Sequence, residues 1–217
     1  MTTKPVLVAT LAVMQLIGVA VADVPALPWL HGFPGARVST SADPGAAGWF
    51  GEDIECPAQA QPPLRLVADV APSAGRETIV ATLAGGIRVT SAEGIELAAS
   101  AGYPCQGSAD ELEVLAAGSV FGERTIVLAF TTGGRREQGT WVGVYRVGFG
   151  GDIDPLFAGM VETREDGIVR TGSVTFLPGA LIYRPPGHRG DSLWVFDPVV
   201  HTYTPRGPFD HEAPPHS

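Results

Sequence analysis

Strand-length apolar segments return at a near-constant interval along this chain, and that recurrence restricts its fold more than any other feature. Thr78-Ile79-Val80-Ala81-Thr82-Leu83 is matched by Thr125-Ile126-Val127-Leu128-Ala129-Phe130, and Ile79 to Ile126 is 47 residues. Ile126 to Val174, in Gly172-Ser173-Val174-Thr175-Phe176, is 48. Each segment has short companions. The first unit adds strands over 64–70, 87–90 and 95–97. The second adds 112–116, 141–147 and a start at Asp154-Pro155-Leu156-Phe157. The third adds 193–197 and 201–204. The doublets Gly85-Gly86 and Gly133-Gly134 are hairpin signals, and Gly148-Phe149-Gly150-Gly151 reads as another turn. A period in the forties with several short strands per unit predicts an all-β, propeller-like array of about three four-stranded repeats. Evenly spaced hairpins in a β-sandwich are the alternative. The 28 glycines and 19 prolines exclude a helical bundle, because each costs helix stability.

The prolines mark the ends of this body. Pro25, Pro28, Pro34, Pro44, Pro57, Pro62 and Pro63 make residues 23–63 an extended arm with at most a short strand or two. Trp29, Phe33, Trp49 and Phe50 are expected to pack parts of it onto the body, which spans 64–204. The segment 205–217 reads as a disordered tail. Closed propellers usually need at least four blades. The arm must then supply a fourth sheet, or the array stays open and associates with itself or a partner.

Residues 1–22 have the form of a secretory signal peptide: Lys4, an apolar run from Val6 to Val21, and Ala20-Val21-Ala22 as the cleavage pattern. The rival reading is an uncleaved anchor, since the run approaches spanning length. No second apolar run of that length follows, so no membrane span is expected after cleavage. A secreted or periplasmic protein is the expectation. The net charge of −9 disfavours nucleic acid, which needs basic patches. Lys4 is the only lysine and asparagine is absent. Cleavage would leave no lysine for Schiff-base or phosphate-binding chemistry.

Cys56 and Cys105 are the only cysteines. In an oxidising compartment one intramolecular disulfide is the expectation, closing a loop worth roughly 4 kcal/mol in the chain-entropy model. Free thiols and a catalytic cysteine are the alternatives. No CxxC pair or nucleophile motif surrounds either residue.

Catalytic motifs are missing from the rest. His31, His188, His201, His211 and His216 show no metal-ligand spacing, and no serine lies in a nucleophile elbow. Asp69, Glu77, Asp110, Asp152, Asp154 and Asp197 are candidates for a glycosidase-type acid pair, which needs two carboxyls across a sugar. Acids at turns more often bond nearby backbone. Trp141, Tyr145, Tyr183 and Trp194 lie on expected strands, either as core or as a face that stacks on sugar rings or anchors a partner.

The segment from Ala68 to Val80, with Asp69, Ser73 and Glu77 in the first, fifth and ninth places of its loop, resembles the repeats of FG-GAP/VCBS-type extracellular β-propellers. The resemblance implies a calcium loop at Asp69, Ser73 and Glu77, with Ala71 in the third ligand place. It also implies a secreted binding or scaffold protein without enzyme activity. The residues themselves point to no other cofactor. The expectation is therefore an exported, non-catalytic binding or scaffold protein of the bacterial envelope or extracellular space, with a protein or carbohydrate partner or self-association. A secreted carbohydrate-active hydrolase using an Asp/Glu pair and a calcium-stabilised adhesion module are the alternatives.

Overall fold

The computed structural model describes residues 27–39, 63–72, 75–82, 86–100, 111–120, 123–133 and 137–207. The expected signal peptide, Cys56, Cys105, Ser73 and Asp110 lie outside the described residues, as do Trp49, Phe50, His211 and His216. All regular structure among the described residues is β.

The arm gives β1 (Leu30–His31) and β2 (Ala36–Ser39). The body then gives β3 (Leu64–Ala68), β4 (Glu77–Thr82), β5 (Gly86–Thr90) and β6 (Glu96–Ala99). Next come β7 (Glu111–Val120), β8 (Glu123–Gly133), β9 (Glu137–Val147), β10 (Ile153–Glu165) and β11 (Ile168–Thr171). The last group is β12 (Ser173–Leu177), β13 (Ala180–Arg184), β14 (Ser192–Asp197) and β15 (Thr202–Arg206). These form three sheets. One has the order β3-β4-β5-β6, the second β11-β10-β9-β8-β7-β2, and the third β1-β12-β13-β14-β15. Each contains a four-stranded antiparallel meander, and β1 joins β12 in parallel.

The second sheet is the middle layer. Val114–Ala117 on β7 and Ile126–Ala129 on β8 are runs of consecutive buried residues. Successive strand residues point to opposite faces, so a continuous buried run means that both faces are covered. Two cores divide along that alternation. Leu115, Ala117, Ile126 and Leu128 pack with Ile79, Ile87 and Val89 of the first sheet. Val114, Ala116, Val127, Ala129, Val142 and Val144 pack with Val174, Phe176 and Leu181 of the third. Leu112 shares the first core with Leu115 despite the odd spacing, because the ladder shifts between Leu112 and Val114. Glu113 is the extra residue of that bulge, and a bulge re-aims the side chain it carries.

The arm docks rather than trails. Trp29 and Leu30 enter the second core, and Phe33 meets Phe176 edge-on at 5.3 Å. A Cβ on Gly118 would lie 2.6 Å from the Cα of Gly35, so β2 reaches β7 only because both positions are glycine. The expected tail boundary moves: β15 runs to Arg206, with Pro205 opposite Trp194 and Arg206 opposite Leu193.

The 47-residue step links equivalent positions, since Ile79 and Ile126 lie on β4 and β8, each the second strand of its meander. The 48-residue step is not in phase. Val174 lies on β12, the first strand of the third meander. The offset comes from β11, an added hairpin strand after the 13-residue β10. Its turn, Asp166-Gly167, has φ of 46° and 82° at its two central positions, the geometry of a type I′ hairpin.

Candidate functional site

The titratable groups that burial perturbs together sit on the middle sheet. Glu111, Thr131, Thr140 and Glu162 occupy one transverse row across β7, β8, β9 and β10, and Thr171 of β11 continues it. The bulge brings Glu113 over the same row. Its Oε1 accepts hydrogen bonds from the hydroxyls of Thr131 and Thr140, the latter at 3.0 Å. The two hydroxyl oxygens are themselves 3.0 Å apart. Burial first, and the charge of Glu113 second, hold the carboxyls of Glu111 and Glu162 above the usual range. Arg164, 3.7 Å from Glu162, pulls the latter partly back. Glu111 keeps contact with solvent, so Glu162 is the better probe. The protonated forms of Glu111 and Glu162 are thereby favoured relative to isolated glutamates.

A pH dependence of stability follows. A carboxyl whose folded-state pKa is raised stabilises fully below its unfolded value, near 4.3, and that contribution is lost as pH rises through the folded value. Glu162→Gln is therefore expected to raise the melting temperature more at pH 7 than at pH 4. An equal shift at both values, followed by calorimetry, would remove the row as a titrating unit.

Asp69, Glu77, Asp152, Asp154 and Asp197 are placed apart from this row. Asp69 pairs with Arg124 at 2.9 Å, and Asp154 with Arg146 at 3.0 Å. The Oδ1 of Asp197 accepts from the backbone N–H of Val199 at 2.8 Å, as a turn acid does. Asp152 lies exposed in the β9–β10 turn. Glu77 is only 2% exposed, and its Oε2 accepts from the N–H groups of Val70 at 2.8 Å and Ala71 at 3.3 Å. Arg124 also donates to the carbonyl of Ala71. Asp69 and Glu77 are thus engaged with Arg124 and with the loop backbone. Among the described residues, no group of three or more His, Cys, Asp or Glu side chains is placed to hold a metal ion.

The four aromatics do not share a surface. Tyr145 packs against the core between the first and second sheets. Trp141, half-buried, stands opposite Phe130 of β8, which packs against that same core. Tyr183 is buried on the other side, edge-on to Phe157 at 5.3 Å, with its hydroxyl donating to the carbonyl of Met160 at 2.9 Å. Burial raises its phenol pKa, and the Met160 bond opposes this. Trp194 meets Phe157 edge-on at 5.1 Å, and its Nε1 donates to Ser192 Oγ. These are core contacts of the kind aromatic pairs favour.

Sequence reading passed over Glu111, Glu113 and Glu162. Glu111-Leu112-Glu113 has the alternation of a strand with one polar face, and nothing local indicates that a bulge follows. Glu162 joins them only through strand register. No family model matches the chain, and no curated protein or solved structure matches it.

Proposed function

We infer that this chain is an exported, non-catalytic binding or scaffold protein of the bacterial envelope or extracellular space, built as a propeller-like array of stacked four-stranded repeats. One observation carries the reading. Both interlayer spaces are filled by side chains, Ile79, Leu115 and Leu128 in one and Val127, Val174 and Leu181 in the other, all fully buried. The hairpin turns and outer faces are then the parts left to engage other molecules. Three successive meanders packed face to face support the repeat array, as does the resemblance of residues 68–80 to FG-GAP/VCBS repeats. The sandwich alternative draws its support from the second and third sheets, which approach along both edges, through β10 with β15 and through the β1–β2 segment.

A direct assay tests the function. The purified chain is expected to turn over no glycosidic, ester or phosphate substrate. Turnover on the order of 1 s⁻¹ or faster, within the ordinary range of enzymes, would sink the proposal. The row of Glu111, Glu113 and Glu162 favours one second reading, a carbohydrate-active hydrolase. Raised carboxyls beside another carboxylate are the acid–base arrangement such chemistry uses. On that reading Glu162→Gln abolishes the activity seen in the same assay.

A further inference from the structure

We propose that the end of the stack bearing the 148–152 and 197–201 turns is a docking surface for a protein partner with an apolar pocket rimmed by basic side chains. This rests on the binding-protein reading above and assigns the surface that does the binding.

The registers bring these turns to one end. The 148–152 turn links β9 to β10. The 197–201 turn lies just before Thr202, whose Oγ1 donates to the carbonyl of Leu156, early in β10, at 2.9 Å. The β12–β13 turn joins them, since the N–H of Phe196 donates to the carbonyl of Gly179 at 3.2 Å. Three apolar side chains project there with almost no cover: Phe149 is 93% exposed, Val199 85% and Val200 60%. Single exposed apolar residues are ordinary on a protein surface. These three lie on two hairpin tips at one end, Phe149 beside Ala71, Pro72 and Leu97 of the first-sheet side and Val199 and Val200 on the third sheet. An exposed phenylalanine is the kind of anchor that fills a partner's pocket.

The charges choose the partner. Asp152 and Asp197 lie in these turns and Glu123 begins β8 at the same end, and none of the three has an ion-pair partner among the described residues. The arginines nearby are already engaged: Arg124 holds Asp69 and Arg146 holds Asp154. Arg76 turns back to the carbonyl of Val67. Arg76 keeps its charge, but the three unpaired acids outnumber it, so the tips sit in a net acidic field that favours a basic partner surface and opposes an anionic bilayer.

His31, Thr175, Ile182, Leu193 and Arg206 form one row of the third sheet. β1 runs toward the turns and β15 runs away from them. The β1–β2 connection crosses from the third sheet to the second at the tip end, while β15 leaves the third sheet on the opposite side.

The test uses the full chain as bait for a random peptide library displayed on phage. The expected result is enrichment of peptides that combine aromatic or aliphatic residues with Lys or Arg. Phe149→Ser should weaken their binding by about tenfold or more, the scale of a hot-spot truncation, with melting unchanged. Ile168→Ser, an exposed apolar position at the opposite end, should bind as the parent does. Enriched peptides that ignore Phe149→Ser, or that lack basic residues, would overturn the assignment of this surface and leave the binding reading standing. Enzymatic turnover would overturn that reading instead. Phe149-dependent sedimentation with phosphatidylcholine vesicles would replace the protein partner with a bilayer. A dimer in sedimentation velocity that Phe149→Ser dissociates would replace it with a second copy.

Discussion

Replacing Glu77 with alanine is expected to lower the stability of the fold by about 2–4 kcal/mol, measured by urea denaturation. The side chain is buried at the start of β4, opposite Ala68 of β3. From there it reaches across the 69–76 loop to the N–H groups of Val70 and Ala71, both themselves buried. Alanine removes the acceptor and leaves two donors out of reach of water, and an unsatisfied buried donor costs far more than a typical hydrogen bond contributes. Glu77→Gln keeps a carbonyl oxygen at the same place and should lose roughly half as much. Asp69→Ala makes the comparison informative. Its ion pair with Arg124 is half exposed, with side-chain exposures of 51% and 38%, so its loss should cost under about 1 kcal/mol. If Asp69→Ala proved the more damaging change, the loop would depend on its surface charges rather than on the buried carboxylate.

The contrast between these residues shows how far sequence reading reached. Strand alternation was enough to predict an all-β body and the turn at Gly148–Gly151, because those signals are local. Asp69 and Glu77 were noticed for their spacing, but spacing does not reveal that one side chain turns inward and the other meets an arginine on another sheet. Tyr183 was read as a strand residue, but the strand around it, β13, was given no bounds between Pro178-Gly179 and Pro185-Pro186-Gly187. Two strong turn signals so close together leave only five residues of strand pattern between them. The slip in the third repeat has a similar cause. Nothing in the sequence around Ile168 distinguishes an inserted edge strand from the first strand of a new meander. The Glu111–Glu113–Glu162 row was the least legible feature. It depends on a bulge at Glu113 and on the register of four strands, both products of how the sheet packs as a whole.

The middle position of the second sheet underlies the whole account, and neighbouring residues on β8 test it. Val127 and Leu128 are both fully buried but belong to different cores, Val127 with the third sheet and Leu128 with the first. In a two-layer sandwich, adjacent residues of one strand alternate between core and solvent, and only one of them carries much stability. In a middle layer both do. Leu128→Ala should cost about 2–5 kcal/mol, the range for large-to-small changes in a packed core. Val127→Ala should cost about 1.5–3 kcal/mol, from two lost carbons at roughly 0.8 kcal/mol each plus the cavity they leave. The two side chains belong to different cores, so the double variant should lose close to the combined amount, within about 0.5 kcal/mol. The decisive measurement is the urea unfolding free energy of each single variant. Substantial loss in both is the predicted result. A value for either one within about 0.5 kcal/mol of the parent, as expected of a solvent-facing position, would contradict the three-layer arrangement.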